Sequence, residues 1–425
     1  MTGDVLAPRR LTAMLRDPET GVMLSAIANQ FLVSGGTFLI GIAAARWLGL
    51  EQFGRFTLVL TVAVLFQGLQ NSFLLMPMMT LAGRRSGRSR YYYRGLMATN
   101  IWASAITGLI VAVSLAIGFG WRDGSIPWGL IVSAGAYAAS QNFLYTMRRV
   151  MFARRETWGA LVLDVGRYLV LAAIILLLWS RFGTVNLEGL LAALAGSAVL
   201  AAAPFAVRVG VRGAGSRLLG AIWRRHWPSA RWLLPMTIVT FAQEQAITLS
   251  LGFLLSDEAV GGLRAGQYLL GVTHFVMMAQ ENFVPNGAAR ALSTGGRPEL
   301  RRFLLNKMIV FGIPTGALIL LIACNAEASL RLAFGAGYER FAPLLYVFAL
   351  SYVCIFIRDM VANYFRAIER TDVIFRAFLA GCVISALLVI PALRSLGEMG
   401  AALLILSTNL SSMLYVLWVG WRDWD

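Results

Sequence analysis

Charge is what this sequence has least of. Of its 425 residues, 14% are charged and 58% are hydrophobic, where a soluble domain carries about 25% and 45–50%. That balance excludes an ordinary soluble domain. Lysine is nearly missing: of the 37 basic residues all but Lys307 are arginine. No glycine-rich loop ends in Gly-Lys-Ser or Gly-Lys-Thr, which excludes a phosphate-cradling ATPase motor. Cysteine is scarce and scattered. Cys324, Cys354 and Cys382 each sit in an apolar run; they lack metal-ligand spacing and read as small packing residues. Neither a metal nor a cofactor is expected.

What the sequence has in excess is long apolar runs. Val22–Ala45, Phe56–Ala82 and Gly95–Trp121 contain no charged residue, and each is long enough to cross a core of about 30 Å as helix. The pattern predicts an all-α membrane protein with about twelve transmembrane helices. The first six spans are Val22–Arg46, Phe56–Ala82, Gly95–Trp121, Trp128–Met147, Trp158–Ser180 and Gly189–Val207. The second six are Trp232–Leu255, Ala265–Ala289, Met308–Cys324, Phe341–Phe365, Ala377–Leu393 and Gly400–Trp421. Met1–Gly21 reads as a short tail and not as a cleaved signal, because the first apolar run is too long.

Arginine settles the expected orientation. With the chain start inside, inner segments carry 27 basic residues and outer segments eight, leaving Arg167 and Arg358 within spans. That excess predicts both termini on the cytoplasmic side. The net charge of +16 is then topology and not a nucleic-acid footprint. The longest loop, Arg208–Arg231, holds Trp223, Trp227 and paired arginines, which predicts a helix at headgroup level. It divides the chain into a six-helix lobe (1–207), a linker (208–231) and a second six-helix lobe (232–425). Outer loops of about 5–17 residues are too short for a catalytic domain. They hold no carboxylate pair, nucleophile–histidine set or metal motif, so an enzyme, such as a polymerase or ligase of lipid-linked sugars, is disfavoured.

The two halves carry similar signals at one spacing. Gly54 and Gly266 are 212 apart, Phe152 and Phe365 are 213 apart, and Asn29–Gln30 precede Gln243–Glu244 by 214. Internal repeats with a site at their interface are a transporter signature.

Polar residues inside spans mark a pathway or pair with one another. Glu244 lies mid-span, either as an ion-coupling carboxylate or as a structural one. Gln267, His274 and Glu281 recur every seven residues, close to one helix face; His274 is a proton carrier or a hydrogen-bonded structural residue, and Glu281 couples ions or balances Arg290. Asp164 and Arg167 are spaced to pair at i,i+3. Arg358 is the candidate for an anionic headgroup, since its fork suits phosphate; its neighbour Asp359, a further ion-coupling candidate, points about 100° away. Arg46 and Arg167 are further cations for such a headgroup. Tyr137, Gln141, Tyr145 and Arg148 form a polar–aromatic stripe suited to sugar rings or to interhelical packing. Gln67, Gln70, Asn71 and Gln30 add uncharged polar surface.

These residues also carry a resemblance. AAARWLGLEQFGRFTLVL (Ala43–Leu60), with Arg46, Gly49, Glu51, Phe53, Gly54 and Phe56, resembles the first-to-second-helix junction of bacterial polysaccharide (O-antigen and exopolysaccharide) flippases. AGQYLLG followed by Pro285, LAFGAGYERFAPLLYVFAL (Leu332–Leu350) and NYFRAIERTD resemble that family's eighth helix, ninth-to-tenth junction and exit from helix ten. The family lies in the multidrug/oligosaccharidyl-lipid/polysaccharide superfamily. The resemblance implies two pseudo-symmetric six-helix lobes around a central cavity, alternating access, and a bacterial inner membrane. It implies an undecaprenyl-pyrophosphate-linked oligosaccharide as cargo, a proton or sodium ion as coupling partner, and a polysaccharide polymerase as neighbouring machinery. Twelve spans depart from the usual fourteen of lipid II flippases. The lack of a carboxylate inside helices one to four departs from the drug antiporters of the superfamily, which remain the rival reading.

Overall fold

The computed structural model describes residues 18–82, 90–154, 156–210 and 216–423. The arginines expected in the tail and at Arg84, Arg85, Arg88, Arg155 and Arg212 lie outside the described residues, as do the side chains of Gln243 and Glu244. Among the described residues every regular element is helical, and the chain is a multi-pass membrane protein. Seven stretches are long and apolar enough to cross a bilayer, three of them 52, 68 and 52 residues long. Each of those three holds two spans that part at a glycine: Gly49 (φ 72°), Gly296 (φ 68°) and Gly397 (φ 58°). Only glycine takes such a left-handed angle without strain. Trp128–Ala153 and Ser216–Leu254 bring the spans to the twelve expected.

The helices group into two compact units. One comprises the chain up to Gly41 plus Val62–Val239; the other comprises Ile42–Thr61 plus Thr240–Asp425. Packing therefore divides the chain differently from the sequence. The linker does not stand apart: Ser216–Leu254 is one helix with no break at Trp232, and Ile222, His226 and Ala230, one turn apart, are buried. Ile222 joins Leu74, Leu75, Tyr92, Tyr93 and Val150 in a core of the first unit. In the second unit, the tip Ile42–Thr61 is held by Phe53, which packs against Tyr268, Phe334 and Tyr338. Gly54 lets it approach so closely that a Cβ there would lie 1.7 Å from the Asp257 carbonyl oxygen.

The repeat is visible in the backbone. Trp128–Ala153 and Ala342–Ala367 are both 26 residues, displaced by 214 at each end (128 to 342, 153 to 367). Both exits close with the same bond, Glu156 N–H to Met151 O at 2.8 Å and Arg370 N–H to Phe365 O at 2.9 Å. Glu156 (φ −89°, ψ 53°) and Arg370 (φ −96°, ψ 59°) then cap helices starting at Thr157 and Thr371.

Candidate substrate and ion sites

In the first unit, ionisable side chains gather between the first, fourth and fifth spans. Asp164 is fully buried, and a buried carboxylate requires partners. Asn29 Nδ2 donates to its Oδ2 at 2.8 Å, and Arg148 Nη1 stands 3.6 Å from the same oxygen. Among the described residues Asp164 Oδ1 has no hydrogen-bond partner. The expected Asp164–Arg167 pair is not formed. Arg167 instead donates to Gln141 Oε1 at 3.0 Å and lies 5.3 Å over the Tyr168 ring. The cause is tertiary: the helix Trp128–Ala153 presents Arg148 and Gln141 to this face, and each takes one member of the expected pair.

One turn along from Gln141, Tyr145 organises two cations. Its hydroxyl accepts from Arg149 Nη2 at 2.8 Å, and the Arg148 and Arg149 guanidiniums lie 5.3 and 5.1 Å from its ring centre, within cation–π range. The stripe expected for sugar is thus largely engaged by protein: Gln141 Nε2 also donates to Leu194 O at 3.2 Å, and Tyr137 is half-buried. Arg148 thus links the Tyr145 pair to the buried carboxylate of Asp164, and Arg167 stands on Gln141. Gln70, expected to add polar lining, is buried. It is 7% exposed and donates to Asn100 Oδ1 at 2.7 Å and Thr146 Oγ1 at 3.0 Å, inside a buried network that ties together the second to fourth spans. Gln67 and Asn71 are half-buried, and Asn71 opens a π-helical turn, Asn71–Leu75. Gln30 is exposed and donates to Ser34 at 3.3 Å.

In the second unit, Arg358 is not free of its neighbour. Its Nε and Nη2 both lie 2.9 Å from Asp359 Oδ1, Nη1 donates to Asn409 Oδ1 at 3.0 Å, and Phe378 lies 4.8 Å beneath it. The 100° between the two positions is overcome by side-chain length, since an uncompensated charge among apolar helices is costlier than a bent rotamer. Arg46, a further expected phosphate ligand, meets main-chain carbonyls here. It donates to the carbonyls of Leu332 and Ala333 (2.8 Å for the latter), neutralising the negative end of the helix Ala326–Phe334. His274 is exposed, with its ring 5.6 Å edge-on from Tyr352. Glu281 is exposed, and Asp359 is held by Arg358. A 3-10 turn, Gly271–Thr273, falls between Gln267 and His274, so the seven-residue stripe is rotated by the tighter winding. Glu244 sits on the helix Ser216–Leu254.

Three solved structures define what this architecture is similar to. An inward-facing multidrug resistance MATE transporter of the MOP superfamily superposes at TM-score 0.65, 16% identity, over 90% of this chain and 94% of that one. The chain has the fold of these transporters. The lipid II flippase MurJ, inward closed, matches at TM-score 0.64, 13% identity, over 94% and 87%. A MOP superfamily transporter from Pyrococcus furiosus matches at 0.57, 14% identity, over 96% and 96%. No family model and no curated protein matches the sequence. The shared fold joins drug transporters and a lipid flippase, so the side chains must discriminate between them.

Proposed function

We propose that this protein is a flippase that carries a lipid-linked oligosaccharide, joined through pyrophosphate to a polyprenyl lipid, from the cytoplasmic to the outer leaflet by alternating access, for assembly of a cell-surface polysaccharide. One observation supports this cargo over a cationic drug: Tyr145 holds Arg148 and Arg149 together, and Arg167 reaches Gln141 one turn away on the same helix. Guanidinium forks bind phosphate oxygens in pairs, and the same cluster repels a cation. Arg148 and Arg149 are the residues proposed to take the pyrophosphate, with Arg167 deeper; Arg358 joins only if Asp359 releases it. For ion coupling we propose Glu244 and His274, with Glu281, and add Asp164, a fully buried carboxylate beside Arg148.

The test uses proteoliposomes with a fluorescent lipid-linked oligosaccharide, with and without proton and sodium gradients. The reading requires the label to change leaflets with glycan length unaltered and the rate to respond to one gradient. Gradient-driven efflux of a cationic dye with no lipid movement would replace it with the drug-antiporter reading. Glycan elongation would mean an enzyme.

A further inference from the structure

Between Glu188 and Glu244 the sequence has no acidic residue, yet it holds Arg208, Arg212, Arg217, Arg224, Arg225, Arg231 and His226. The helix Ser216–Leu254 fixes how part of this charge is presented. Its inward face is sealed into the first unit: His226 is fully buried, with its ring bonded to the Tyr92 hydroxyl at 2.9 Å and to Phe73 O at 3.1 Å. Its outward face is therefore held still. On that face Trp223 and Trp227 stack on each other at 5.5 Å, and Trp223 also meets Phe73 at 4.7 Å. Both tryptophans stay about half exposed, at 53% and 43%. Arg224 and Arg231 are exposed, and Arg231 lies 5.5 Å over the ring of Trp232, itself 72% exposed. The same helix runs on into the seventh span, so this face lies within about 14 Å of the span's start at 1.5 Å per residue.

We propose that this face is a docking surface for anionic phospholipid headgroups of the adjoining leaflet. Tryptophan favours the boundary between hydrocarbon and water, and an arginine near an anionic surface contributes about 1 kcal/mol, or about fivefold in affinity. The proposal is independent of the cargo. It is tested on the purified full chain by comparing thermal stability and lipid retention in phosphatidylglycerol and in phosphatidylcholine nanodiscs. The wild type should prefer phosphatidylglycerol. Arg224→Gln with Arg231→Gln should cut that preference by about 30-fold, the two-lysine variant should keep it, and Arg181→Gln, an exposed arginine at another helix end, should leave it unchanged. If the double variant fails to fold, Arg224→Gln alone should cost about fivefold. A glutamine variant with the wild-type preference, equal response to both lipids, or an equal shift from soluble pyrophosphate would overturn the proposal.

Discussion

The helices Trp128–Ala153 and Ala342–Ala367 share length, exit bond and capping angles, yet at a displacement of 214 their chemistry diverges. Tyr145 corresponds to Asp359, Arg148 to Ala362, and Asp164 to Phe378. In the first unit the fourth and fifth spans meet through a buried carboxylate and a guanidinium. In the second unit the matching spans meet through a guanidinium over a phenyl ring. The backbone turn is thus independent of the charges it carries, and the polar cluster of the first unit is an addition that folding alone does not demand. Buried ion pairs are weak stabilisers relative to apolar packing, so the Asp164–Arg148 contact points to a role beyond stability.

The sharpest way to break this comparison is to remove one charge. Asp164→Ala leaves Arg148 without its carboxylate and should cost about 3–5 kcal/mol, whereas Phe378→Leu at the matching position should cost less than about 1.5 kcal/mol. Thermal unfolding in detergent compares them; equal losses would mean that the two contacts are interchangeable. Next come the close approaches. A Cβ at Gly54 would meet Asp257 O at 1.7 Å, one at Gly135 would meet Gly108 O at 2.9 Å, and one at Gly166 meets nothing within 4 Å. Gly54→Ala should therefore lose about 3 kcal/mol or more, Gly135→Ala less, and Gly166→Ala should gain up to about 1 kcal/mol from helix propensity. The reverse order would contradict the packing described for both units.

The smallest effect concerns pH. Burial pushes the His226 imidazole below its ordinary range, with the bond to Phe73 O opposing and nearby Arg225 assisting. The unfolded chain then binds the proton more readily, so stability is full above about pH 6.5 and falls as pH drops from there toward the depressed value. Melting temperature against pH should show that loss, and His226→Gln should flatten it; an unchanged slope would assign the titration elsewhere.

The apolar runs and the paired signals at one spacing made the twelve spans and the repeat legible, because both are properties of local sequence. The site was legible only as a set of polar residues. Asn29 meets Asp164 across 135 positions, and no local spacing encodes that contact. The i,i+3 rule paired Asp164 with Arg167 because it cannot see the fourth span, and the angular rule separated Arg358 from Asp359 because it ignores side-chain reach. Nor does local spacing show that Arg46, a motif residue, meets main-chain carbonyls some 286 positions away.

The central claim is that the arginines gathered at Tyr145 select an anionic cargo. It is tested most directly by comparing transport of a pyrophosphate-linked lipid with that of the same lipid bearing a neutral linkage, in wild type and in an Arg148→Gln, Arg149→Gln variant. The account predicts that wild type favours the pyrophosphate form and that the variant loses most of this preference, about tenfold or more for two charge-assisted contacts. A variant that retains the full preference would contradict it.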